Sequence, residues 1–265
     1  MEWVLIAALF VGGAVAFAVV GILVARRSIH HHVAEGHNDV LVPLFLTAGV
    51  IYAVLLGFIV VAMWETYDAA KANVAEEASL LVPLYRHSEI MAPEKGAEMR
   101  KLLREYAEQV PAGWANFTKT GKGSPEARKT VDEILKLFAT LTPATKPREI
   151  IAAQFMETFS QLLLDRNKRL VQAQESLSWI IWLAAIGGGI VTIGMSFVLF
   201  MDRVMPHIVM TSVLSALIGM LLFIMAVLNR PFIGPLAIEP EPFEASLALF
   251  DQIDGDFKPA ADEAK

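Results

Sequence analysis

The side chains best placed to do chemistry in this chain form two sets of opposite charge. Carboxylates follow the second apolar run of the sequence, and cations precede the third. Counted at 1.5 Å per residue from these runs, both sets lie at about the same height. The spacing predicts ion pairs between two helical arms; alternatively, both sets are solvated faces, where an exposed pair adds only about 0 to 1 kcal/mol. The acids are Glu65, Asp68, Glu76 and Glu77, the bases Arg166, Lys168 and Arg169, and the pairing candidates Glu76, Glu77, Arg166 and Arg169.

Histidines invite a metal-binding or pH-sensing hypothesis, because His30, His31 and His32 are consecutive and His37 lies close by. Consecutive side chains point in different directions on a helix or a strand, so the three cannot face one ion together. We interpret the run as a polar loop at the membrane surface and expect no metal site. The isolated His207 is interpreted as structural.

No residues in the sequence indicate an enzymatic function. The sequence contains no cysteine, and we find no nucleophile motif, phosphate-binding loop or spaced set of metal ligands. We therefore expect neither catalysis nor a bound cofactor.

Four apolar runs must position the charged sets. They cover residues 3–25, 40–64, 177–201 and 208–228, and none contains Asp, Glu, Lys, Arg or His. Each is 21 to 25 residues long, enough for a helix to cross a hydrocarbon core of about 30 Å. The backbone must satisfy its own hydrogen bonds in lipid, so helices are predicted. The predicted fold class is an all-α integral membrane protein with four transmembrane helices in two hairpins.

The predicted domains follow from these runs. Residues 1–64 form the first hairpin, 65–177 a long helical soluble insert, 178–228 the second hairpin, and 229–265 an acidic tail. The tail carries a short amphipathic helix over about 241–253, which packs on the insert or lies at the lipid interface. Ser124 and Pro125 are typical of a helix start. A stretch without proline or glycine from residue 148 to 186 predicts one long helix entering the third span.

Charge excludes several classes of function. The net charge is −6, and no basic patch interleaved with aromatic residues occurs, so we expect no nucleic-acid partner. Proton relays and voltage sensors place ionisable side chains at membrane depth, which these runs lack. A pore lined by apolar and small side chains remains compatible with the sequence.

Small residues recur every four positions in three runs and favour close helix packing, either within one subunit or between subunits. They are Gly49, Ala53 and Gly57, then Ala184 and Gly188, then Ser215 and Gly219.

The positive-inside rule gives conflicting indications about the orientation of the chain in the membrane. Arg26, Arg27 and Arg203 argue that the short loops are cytoplasmic, whereas Lys71, Arg166, Lys168, Arg169 and Arg230 argue the reverse.

Several segments resemble a bacterial membrane family of unknown function that is labelled bestrophin-like. They are Asn38-Asp39, residues 50–58, Trp64-Glu65, residues 67–70 and 76–78, residues 166–170, and the motif Arg230, Pro231, Phe232 with Gly234. The resemblance implies an oligomeric anion channel with four helices per subunit and a cytoplasmic helical insert. It also implies that the second helix lines the pore, with Ile51, Val54, Phe58 or Val61 at a constriction. The chain departs from bestrophins in lacking a matching acidic calcium-binding cluster. Its Glu65 and Asp68 would place negative charge at the pore mouth, which favours cations.

We therefore expect a homo-oligomeric, passive ion channel of the bacterial plasma (inner) membrane that conducts inorganic ions, with undecided selectivity and an unknown protein partner. The alternative is a non-conducting scaffold or sensor, or a stator-like subunit that acts with a partner protein.

Overall fold

The computed structural model describes residues 2–28, 37–89, 91–142 and 145–256, and within them all regular structure is α-helical. The run His30, His31 and His32 lies outside these residues. The helices are α1 (Glu2–Ser28), α2 (His37–Ser79), α3 (Leu81–Ser88), α4 (Pro93–Ala112), α5 (Trp114–Thr120), α6 (Pro125–Ala139), α7 (Lys146–Gln172), α8 (Trp179–Phe197), α9 (Val204–Leu228) and α10 (Glu241–Asp256).

Four of these helices, α1, α2, α8 and α9, are long and apolar enough to cross a membrane. The chain is thus an all-helical membrane protein. Helix α9 begins at Val204, four residues before the apolar run that starts at residue 208, so His207 lies in its first turn. The arrangement of the spans as two hairpins stays a prediction.

The chain divides into two compact units. The first, called here the membrane unit, consists of Met1–Tyr67, Ser176–Arg230 and Gly234–Leu236. The second, called the insert unit, consists of Asp68–Glu175, Pro231–Ile233 and Ala237–Lys265.

Within the membrane unit, α1 packs along α9 and also contacts α8. A Cβ atom at Gly219 would lie 2.7 Å from the carbonyl oxygen of Phe10, so only glycine allows this approach of the two backbones. A Cβ atom at Gly188 would lie 2.5 Å from the ring of Tyr52, whose hydroxyl donates to the carbonyl of Ala185 at 2.9 Å. These small residues therefore serve packing inside one chain.

The prediction of one long helix entering the third span is wrong. Helix α7 ends at Gln172 and α8 begins at Trp179. Side chains satisfy the backbone at the new start: the Ser178 hydroxyl accepts from the Ile180 amide at 3.4 Å, and the Asn229 carbonyl oxygen accepts from the Leu177 amide at 2.7 Å. Such acceptors let a helix begin without a proline or glycine before it.

In the insert unit, α4 packs against α3, α5, α6 and α10, and α3 packs against α7. The predicted helix start is confirmed, because the Ser124 hydroxyl accepts from the Ala127 amide at 3.2 Å. Helix α10 buries Phe243, Phe250 and Ile253. It packs on α3 and α4, so of the two alternatives for the amphipathic helix, packing on the insert is the one observed.

Candidate functional site

A buried ion pair joins the end of α2 to α7 inside the insert unit. The Arg169 guanidinium donates to both carboxylate oxygens of Glu77, at 2.6 Å from Nε and 2.9 Å from a terminal nitrogen. The Tyr106 hydroxyl, from α4, donates to Glu77 Oε1 at 2.6 Å. Glu77 is 0% exposed and Arg169 is 3% exposed. One carboxylate thus receives three hydrogen bonds from two helices in a region closed to solvent.

Aromatic rings surround the cation of this pair. The guanidinium carbon of Arg169 lies 5.0 Å from the ring centre of Phe117, 5.4 Å from that of Trp114 and 5.9 Å from that of Phe243. All three distances fall within the range of cation–π attraction. Phe232 packs edge-on against Phe117 at 5.0 Å between centres. We call the ion pair, Tyr106 and these rings the Arg169 box.

Electrostatics in the Arg169 box keep the Arg169 guanidinium charged and the Tyr106 phenol neutral. Burial lowers the pKa of Arg169, but the adjacent Glu77 carboxylate and its hydrogen bonds outweigh burial and hold this pKa above its usual value. Burial, reinforced by the charge of Glu77, raises the pKa of Tyr106 well above its usual value. The Glu77 carboxylate therefore joins α2 to α4 and α7 through its three hydrogen bonds.

A second contact between α2 and α7 lies one turn from the box. The Asn73 side chain donates to the backbone carbonyl of Asp165 at 2.8 Å, and the buried Asp165 carboxylate accepts from Lys168 at 2.7 Å. Of the predicted cross-arm residues, Glu77 and Arg169 are brought together. Glu76 is exposed, and neither it nor the partly buried Arg166 forms an ion pair among the described residues.

The pore-lining candidates share one face of α2. Ile51, Val54, Phe58 and Val61 are 66%, 53%, 72% and 55% exposed in the single chain. The opposite face of this helix is buried at Tyr52, Leu56 and Met63. The exposed residues follow a spacing of three, four and three, which is the spacing of a seam between packed helices.

The acidic candidates continue the same stripe. Glu65 and Asp68 follow Val61 after four and seven residues, and both are exposed. The apolar stripe of α2 therefore leads directly into two carboxylates on one face of one helix.

The motif Arg230, Pro231, Phe232 and Gly234 follows α9, and its residues belong partly to the membrane unit and partly to the insert unit. Pro231 and Phe232 are buried, and Phe232 supports the Arg169 box. Gly234 has a φ of 112°, and a Cβ atom there would lie 2.7 Å from the Trp3 ring, so glycine is required twice over. Arg230 is exposed and forms no ion pair within the described part of the chain.

Asn38, in the first segment that resembles the family, has a structural role in the membrane unit. Its side chain donates to the carbonyl of Phe200 at 2.8 Å and accepts from the amide of the same residue at 3.0 Å. It thereby ties the start of α2 to the loop that joins α8 and α9.

Sequence reasoning missed the aromatic part of the box. Trp114 and Phe117 lie on α5, a helix of seven residues for which the sequence carries no clear signal, and no sequence pattern assigned Tyr106 to a site. No local pattern marks an aromatic ring as the neighbour of a distant arginine. The residues that the structure describes include no group of three or more histidines or acids that could hold a metal ion.

Comparison with known proteins gives one family. A family model described as a Bestrophin-like domain matches residues 12–243, which include α2, α8, α9, the larger part of α1 and every residue of the Arg169 box. No curated protein and no solved structure matches the chain.

Proposed function

The chain belongs to the Bestrophin-like family, and from that premise we propose that it is a homo-oligomeric, passive ion channel of the plasma membrane in which α2 lines the pore. Membership of this family supports ion conduction as the class of function. The assignment of α2 depends on its exposed stripe.

The single observation that carries the proposal is the continuity of this stripe. Other spans also expose apolar side chains, as any lipid-facing helix does. On α2 the apolar residues lead into Glu65 and Asp68 along the same face, and carboxylates need water or a cation. A face that is apolar inside the membrane and acidic at its end fits a pore wall with a hydrated mouth better than a lipid contact.

All four apolar residues of the stripe are more than half exposed in the described part of one chain, so a closed ring of copies would bring the α2 helices around one axis. Ile51, Val54, Phe58 and Val61 would then form an apolar constriction that gates by excluding water. Glu65 and Asp68 would form acidic rings at one mouth, which raise the local concentration of cations.

The experiment is the flux of K⁺ and Cl⁻ from liposomes that contain the purified protein, with the oligomeric mass measured on the same sample. Selective flux from a symmetric oligomer supports the proposal. A tight oligomer without flux under any gradient or pH would refute it and favour the non-conducting scaffold or the partner-dependent stator.

Variants separate the pore wall from the lipid-facing surface. Phe58→Ala removes the most exposed ring of the stripe and is expected to raise the flux several-fold. Val20→Ala, on α1, is the matched control, because Val20 is 59% exposed and lies on another span. Glu65→Gln is expected to shift the flux ratio from K⁺ towards Cl⁻. The same ratio in the wild type and in Glu65→Gln would show that the Glu65 carboxylate does not determine ion selectivity.

A further inference from the structure

A groove on the surface of the membrane unit is separate from the α2 stripe. It lies between α1, α8 and α9, has a volume of about 300 Å³, and is lined by apolar side chains and two glycines. Its rim residues Leu9 and Ile190 are 71% and 50% exposed, so it opens on the outer surface of the unit. One water molecule takes up roughly 30 Å³ in the liquid, so the groove has room for a chain of several methylene groups.

Two of the residues that line the groove, Gly13 and Gly189, have no side chain. Gly13 has no heavy atom within 4 Å of the position that a Cβ would occupy, whereas a Cβ at Gly189 would lie 3.0 Å from the Tyr52 hydroxyl. The three helices that form it are all candidate membrane spans, so the space faces hydrocarbon and not water.

A cation, Arg230, lies just beyond the end of α9 that the groove approaches. Leu222 lines the groove, and the helix continues for six residues to Leu228, which corresponds to about 9 Å. Arg230 follows, exposed and without an ion pair among the described residues. Trp3 and Trp179 lie in the first turns of α1 and α8, a position that tryptophan favours at a membrane surface. Arg230 is therefore placed at the headgroup level.

We propose that the groove binds one acyl chain of an anionic phospholipid whose phosphate contacts Arg230. Half of a hydrocarbon core of about 30 Å is roughly 15 Å, so a lipid held at Arg230 reaches past Leu222 into the groove. Hydrophobic transfer gives no preference between the groove and the bilayer, because both are apolar. Close packing along the groove and the ionic contact at Arg230 supply the preference. The site is independent of whether the protein conducts.

Native mass spectrometry of the full-length protein, offered equal amounts of phosphatidylglycerol and phosphatidylcholine, tests the headgroup. The wild-type protein is expected to retain the anionic lipid about fivefold over the zwitterionic one, the effect of one cation near an anionic lipid surface. Arg230→Gln is expected to bring this ratio close to one. Equal retention of both lipids by the wild type, or an unchanged ratio in Arg230→Gln, would overturn the headgroup contact.

Two pairs of variants test the groove. Gly13→Leu places a side chain in the groove, and Gly12→Leu, which does not line it, is its control, since both positions have open space around the Cβ. Ile190→Trp covers the mouth, and Val191→Trp, at 59% exposure and outside the lining, is its control. Loss of bound lipid in the first member of each pair, with retention in the second, supports the site.

Retention of lipid in both Gly13→Leu and Ile190→Trp, each monodisperse and helical by circular dichroism, would overturn it. If one filled variant fails to fold, the other decides the outcome alone. Equal loss in a filled variant and its control would also count against the groove, because it would show a general disturbance of the span.

Discussion

The Arg169 box predicts a large and non-additive loss of stability when either charge of its ion pair is removed. Glu77→Gln leaves a guanidinium that is 3% exposed facing a neutral amide, and Arg169→Met leaves a fully buried carboxylate with only Tyr106 as a donor. Removing one partner of a buried pair costs about 3–5 kcal/mol, because the remaining charge is uncompensated. At roughly 2–4 °C per kcal/mol, each single variant should melt about 10 °C below the wild type.

The double variant distinguishes a buried pair from two independent contacts. Glu77→Gln together with Arg169→Met leaves no buried charge, and the amide oxygen still accepts from Tyr106. We therefore expect the double variant to lose less than either single one, which requires an interaction energy of more than about 3 kcal/mol, beyond the usual range for contacting residues. The assay is thermal unfolding of the detergent-solubilised protein, followed by circular dichroism and by loss of monodispersity.

The Lys101 and Glu105 pair is the matched control within the same unit. These side chains lie 3.7 Å apart on α4 and are 76% and 36% exposed, so each substitution should change the melting temperature by no more than about 2 °C. Additive losses at Glu77 and Arg169, or losses as small as those of the control pair, would refute the reasoning that the insert unit depends on a desolvated ion pair.

Three further outcomes follow from individual contacts. Because folding raises the pKa of Tyr106, the stability that depends on this proton should be full below about pH 10 and should fall above it. The melting temperature of Tyr106→Phe should therefore fall less between pH 9 and 11 than that of the wild type. Gly219→Ala forces a Cβ against the backbone of α1 and should lower the melting temperature, whereas Gly49→Ala, with open space around its Cβ, should not. Phe250→Ala removes a fully buried ring that stacks on Tyr85 of α3, at a cost of about 3–5 kcal/mol. Limited proteolysis should therefore release α10 faster in this variant than in the control Leu249→Ala, whose side chain is 42% exposed.

Local properties of the sequence were sufficient for the membrane spans and for some helix ends. A run of more than 20 residues without charge identifies its own environment, because the bilayer acts on each residue regardless of tertiary contacts. The Ser124 cap of α6 was likewise predictable, since the acceptor and the amide it serves are three residues apart. The start of α8 was not predicted: besides the local Ser178 cap it uses the Asn229 carbonyl oxygen, which accepts from the Leu177 amide and lies 52 residues away along the chain.

The charged site shows where sequence alone stops. Counting residues from the membrane placed acids and bases at one height, which is a property of helix rise. Neighbouring residues on a helix differ by only about 1.5 Å in height but by about 100° in direction, so height could not separate Glu76 from Glu77. Packing of α4, α5 and α10 around α7 decided that Glu77 and Arg169 are buried together while Glu76 stays exposed. The sequence by itself determined a four-span helical membrane protein with charged arms; only the tertiary structure decided which charges leave water, because burial depends on what distant segments bring against each face.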